Sequence, residues 1–87
     1  MSTLGKAVDR YLILRRGLGF KLGRTETRLR QFVAFMAGQR ASRITTSLAL
    51  EFAMAAPQLD ARTKAHRLSA VRGFARHHLA TDPDTEV

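Results

Sequence analysis

Pro57 and Pro83 are the only prolines in this chain of 87 residues, and runs of β-branched residues are nearly absent. Between the prolines and a few glycines, apolar residues recur every three or four positions. That is the period of a helix with one buried face. The pattern predicts an all-α fold, a compact bundle of four helices with short connections. A chain of 87 residues makes one small domain with a thin core, so most helices should bury a single face. A hydrophobic content of 45% argues against disorder.

The first segment runs from about Leu4 to Arg16, with Leu4, Val8, Tyr11, Leu14 and Leu18 on one face and Ile13 off it. Gly17-Leu18-Gly19 should end it, because glycine enters the left-handed exit conformation readily. The second runs from about Arg24 to Gln39 on a stripe of Leu29, Phe32, Val33 and Met36, with Phe35 at the edge. Glu26 suits its positive end, and Gly38 suggests its finish. In the third, Thr45 or Thr46 caps a helix that turns Leu48, Phe52 and Ala55 inward, and Pro57 stops it. The fourth starts after Asp60, a good N-cap, and reaches about Leu79. Leu68, Val71, Ala75 and His78 line its inner face, with Phe74 and Arg72 on the two flanks. The closing TDPDTEV reads as a polar tail.

Charge narrows the function. Lys and Arg number 15 against 7 Asp and Glu, a net charge of +8. Asp82, Asp84 and Glu86 fall in the last six residues, so the rest carries 15 bases against 4 acids. Twelve of the bases are Arg, whose planar fork suits phosphate and guanine. The basic residues cluster on the outer faces of the second and fourth segments. Arg24, Thr27, Arg30, Gln31 and Ala34 lie opposite the stripe of the second, with Arg28 on the border. Arg62, His66, Ser69, Ala70, Gly73, Arg76 and His77 lie opposite that of the fourth. A helix fits the DNA major groove, and the small Ala70 and Gly73 would let the fourth approach closely. The expected partner is double-stranded DNA.

Catalytic chemistry is not legible. The chain has no cysteine, so disulfides and thiolate metal sites are excluded. His66 and His77 have no carboxylate at i+3 or i+4, and the adjacent His77 and His78 point about 100° apart on a helix. No metal and no cofactor is expected, and the chain alone should not be an enzyme. No apolar run approaches the roughly 20 residues of a membrane span. The opening MSTLGKAVDR lacks a signal-peptide core. The expectation is a soluble, cytoplasmic protein without a membrane partner.

The stretches YLILRRGLGFKL, LRQFVAFM, ITTSLALEFA and HRLSAVRGFARH, in that order, resemble the N-terminal core-binding (SAM-like) domain of the tyrosine recombinases, or phage integrases. The resemblance covers residues 8–87, and RLSAVRGFAR, like that family's last core-binding helix, is its strongest piece. It implies a helical DNA-binding domain over 1–80, with 81–87 as the start of an interdomain linker or flexible tail. It also implies a C-terminal catalytic domain in the same parent protein, a recombinase acting in DNA integration and recombination, with further protomers possible on DNA. On the second helix it implies DNA contacts by Arg24, Thr27, Arg28 and Gln31. On the fourth it implies Arg62, Thr63, His66, Arg67 and Ser69, with Arg76 and His77 farther along. Thr63 and Arg67 sit at the border of the basic face and enter mainly through the resemblance. The family's catalytic residues belong to the second domain, so strand cleavage is assigned to no residue here. Two alternatives remain open from the residues alone: a stand-alone helical DNA-binding regulator, or a helical module that binds protein or RNA.

Overall fold

The computed structural model describes residues 3–19, 23–55 and 59–86. Four helices follow one another: α1 (Thr3–Gly17), α2 (Gly23–Gly38), α3 (Thr46–Met54) and α4 (Ala61–His78). No strand occurs among the described residues, and the fold is all-α as the periodicity predicts. The chain divides into two compact units, Met1–Ser42 and Arg43–Val87. In the first α1 packs on α2, and in the second α3 packs on α4.

In the first unit α1 buries Leu4, Ala7, Val8, Tyr11 and Leu12, and α2 buries Leu29, Phe32 and Met36. Ile13 is exposed as expected, but Leu14 and Leu18 are exposed too, at 48% and 67%. Leu14 lies at the edge of the buried arc in the last turn. Leu18 lies past the helix end, where the 100° projection no longer holds. Its amide bonds Arg15 O and that of Gly19 bonds Arg16 O, and Gly19 takes φ +93, the left-handed exit expected of it. Leu12, outside the expected stripe, is buried. Ion pairs join the two helices at their surface, Arg16 with Glu26 and Arg30 with Asp9.

α2 ends at Gly38, yet the left-handed residue is Arg40, at φ 54. Ala41 N–H bonds Met36 O at 2.9 Å and Arg40 N–H bonds Ala37 O at 3.0 Å, a Schellman closure of the last turn. An arginine in this conformation costs about 1 kcal/mol relative to glycine.

In the second unit both predicted caps form. Thr45 Oγ1 accepts from the Leu48 amide at 3.1 Å, and Asp60 Oδ1 accepts from Thr63 at 2.7 Å. α3 ends at Met54 with Ala55 as its C-cap. Pro57, expected to stop it, lies outside the described residues. Phe52 is buried, whereas Leu48 is half-buried and Ala55 exposed; Ala49 and Ala53 fill the inner face instead. Small alanines let α3 sit close to α4, so its buried arc turns toward them. On α4, Val71, Phe74, Ala75 and His78 are buried. Phe74, expected on a flank, lies at one edge of that arc and is fully buried there, and the His78 ring stacks on it with centroids 5.4 Å apart.

The residues after α4 return to the start of α3. Asp82 accepts from Asp84 N–H in a tight turn, Glu86 N–H bonds Ile44 O at 3.0 Å, and Thr85 is buried. The Glu86 carboxylate accepts from Thr46 N–H at 2.8 Å. It takes up one of the free amides at the positive end of α3.

Candidate nucleic-acid interface

The α4 residues expected at DNA divide by burial. Arg62, His66, Ser69, Arg76 and His77 are exposed, and at 100° per residue they share one arc of the helix. Arg72, placed by sequence on a flank, is exposed at the edge of the same arc. Thr63 and Arg67 are half-buried on the flank that turns toward α3. Ala70 and Gly73 are half-buried as well, so neither is a fully open floor for a ligand.

Thr63 gives its amide to the Asp60 cap. That bond, with a side-chain hydrogen bond from Thr63 and the charge of His66 nearby, holds the Asp60 carboxyl below the usual carboxylate range. Arg67 does something the sequence did not announce. Its guanidinium carbon lies 4.0 Å from the centroid of the Phe52 ring on α3, well within cation–π distance. Its Nε is buried, and no acceptor reaches it among the described residues.

On α2, Arg24, Thr27 and Gln31 are exposed at i, i+3 and i+7, a single strip, and Arg28 borders it half-buried. Thr27 donates its hydroxyl to Gly23 O at 3.2 Å, within its own first turn. Arg30, also on the outer side by projection, is committed to Asp9 and Glu26. The α2 set belongs to the first unit and the α4 set to the second.

What makes both faces electropositive is where the acids go. Asp9 and Glu26 pair with Arg16 and Arg30, whereas Asp60 and Glu86 sit on helix N-termini. Among the described residues no carboxylate lies within ion-pair distance of Arg24, Arg28, Arg62, Arg72 or Arg76. Such a face attracts polyanions. The described residues hold no cluster of three His, Asp or Glu able to bind a metal. No helix among them is long and apolar enough to cross a membrane.

The Arg67–Phe52 stack links residues 15 apart on different helices, and no local pattern signals it. The smaller contact of Arg15 with the Tyr11 ring, 5.7 Å away, is an i,i+4 pair that helical spacing could have revealed.

No family model and no solved structure matches the chain. A curated protein does: "Putative integrase/recombinase y4rB" of Sinorhizobium fredii (strain NBRC 101917 / NGR234) is 45% identical over all 87 residues. The chain spans 28% of that relative's length. From end to end, then, this chain is similar to part of a protein named as an integrase/recombinase, in keeping with the recombinase resemblance of its helical segments.

Proposed function

We propose that this chain is the DNA-binding, SAM-like core-binding domain of a site-specific tyrosine recombinase. The observation that carries the reading is the α4 arc of Arg62, His66, Ser69 and Arg76, exposed, with no carboxylate within ion-pair distance of Arg62 or Arg76 among the described residues. The strip of Arg24, Thr27 and Gln31 with Arg28 on α2 supports it, and so does similarity over the whole chain to an integrase/recombinase. Arg62 and Arg76 lie 14 residues apart on α4, about 21 Å along a helix at 1.5 Å per residue. That exceeds the roughly 12 Å width of the major groove, so arginines at the two ends of the arc would reach phosphates beyond the bases between them. His66 and Ser69 between them face the base edges, as do Gln31 and Thr27 on α2. Thr63 and His77 complete the α4 contacts.

On this reading residues 1–80 bind DNA, and 81–87 begin the passage to a C-terminal catalytic domain that supplies strand cleavage in the parent protein. Other protomers of the same recombinase join it on DNA, and it works in the cytoplasm. This chain contributes binding and orientation, with no cofactor.

Titration of a fluorescent duplex at low salt, with structured RNA as competitor, tests the reading. Binding to duplex should weaken steeply as salt rises, by the release of counterions from each phosphate contacted. Failure to bind duplex at low salt, or a preference for the RNA, would overturn it.

A further inference from the structure

We propose that Phe52 is a positioning residue for DNA binding: it holds the Arg67 guanidinium flat, so that its two terminal nitrogens meet a backbone phosphate end-on. The inference rests on the duplex-binding reading above. Its geometry comes from three observations. The guanidinium carbon of Arg67 lies 4.0 Å from the Phe52 ring centroid, so one face of the cation is covered. Nε is buried without an acceptor among the described residues, so the side-on edge is closed. Arg67 as a whole is only half-buried. The donors left for a ligand are therefore Nη1 and Nη2.

That pair forms two parallel N–H bonds, which match the two non-bridging oxygens of a phosphodiester. An arginine on an open surface must give up rotamer freedom to make such a contact. One already stacked on a ring has given it up on folding, so more of the contact appears as affinity. Phe52 is 1% exposed, so it cannot touch DNA itself, and Arg67 is the residue through which it would act on the ligand. The flank of α4 thus has a different task from its crest. Arg67 grips the backbone regardless of sequence, while His66 and Ser69 stand where bases would be read.

The experiment is a double-mutant cycle in the whole chain, with Phe52→Leu, Arg67→Ala and both together. Two duplexes of unrelated sequence are titrated at a temperature where circular dichroism shows equal helicity. Phe52→Leu should weaken binding to both duplexes by about fivefold, the size of one cation–π contact. Arg67→Ala should weaken it by roughly tenfold, as for a lost phosphate contact. The double variant should match Arg67→Ala within about twofold, because the two residues act as one unit. Arg67→Lys keeps the charge without the planar fork and should also lose affinity. Independently, the Arg67 δ protons should show an upfield ring-current shift in the NMR spectrum of the unmodified chain. Unchanged affinity in Phe52→Leu or in Arg67→Lys would overturn the proposal. So would losses that multiply in the double variant, or an absent ring-current shift. A chain that shows the shift but binds no duplex would leave the stack standing and sink the DNA reading, together with the role built on it.

Discussion

The two basic faces of this protein are built differently. In the first unit arginines and acids meet each other: Arg16 holds Glu26, and Arg30 holds Asp9 and Glu26, so charge helps join α1 to α2. In the second unit two acids sit on the amides at helix N-termini instead. Asp60 caps α4 and Glu86 takes the Thr46 amide of α3. Both arrangements have the same consequence, since acids engaged elsewhere cannot neutralise the outer arginines. The second unit goes further, because capping consumes a carboxylate without using up an arginine. Among the described residues no carboxylate pairs with Arg62, Arg72 or Arg76 on its α4 face, whereas on α2 Arg30 is lost to ion pairs. Net charge alone says nothing of this difference; it depends on which acid sits at which helix end.

The largest expected effects separate the two cores. Phe32→Ala and Phe74→Ala each empty a site that is 0% exposed, and each should cost about 3–5 kcal/mol in a chemical denaturation. Hydrogen exchange should lose protection first in α1 and α2 for the former, and first in α3 and α4 for the latter. Uniform loss from either would show that the units unfold together.

Charge reversal comes next and tests the faces. Arg76→Glu should lower duplex affinity more than tenfold at low salt, while shifting the melting temperature by only about 2 °C for an exposed residue. Arg30→Glu should do the opposite, disturbing the α1–α2 ion pairs more than the DNA affinity. Equal binding losses from the two would erase the distinction between engaged and unengaged arginines.

Smaller effects sharpen the comparison at the helix ends. Thr45→Ala removes the α3 cap and should cost about 1 kcal/mol, roughly 4–8 °C in a domain of this size. Arg40→Gly should raise stability by about 0.5–1 kcal/mol, since glycine takes a positive φ without strain. A fall in melting temperature would mean the Arg40 side chain contributes more than its backbone costs.

The smallest effect is in acid. Asp60 has a lowered pKa because Thr63 donates to its ionised form. Its contribution is therefore fully present above the ordinary carboxylate pKa and disappears as pH falls through the lowered folded value. Asp60→Asn keeps the cap but not the titration, so its acid melting profile should be flatter below pH ~4. An unchanged profile would remove Asp60 from the account.

Much of the architecture could be read in advance because it is local. Helix period, the Asp60 and Thr45 caps, the Gly19 exit and the inward lean of His78 all depend on residues within a turn or two of each other. The exposed arc on α4 follows from the same period, which is why projection and structure agree on Arg62, His66, Ser69, Arg76 and His77. The differences are tertiary: α1 buries no residue after Leu12, which leaves Leu14 and Leu18 exposed, and α3 turns Ala49 and Ala53 rather than Leu48 and Ala55 into its packed face.

By itself the sequence determined that this chain is helical, basic and without cysteine chemistry, because each of those properties is additive over residues. Only the tertiary structure decided which charges remain available. Pairing Arg30 with Asp9, carrying Glu86 back to Thr46 and laying Arg67 on Phe52 join positions 21, 40 and 15 residues apart. Contacts at such separations depend on how helices pack, and no period along the chain encodes them.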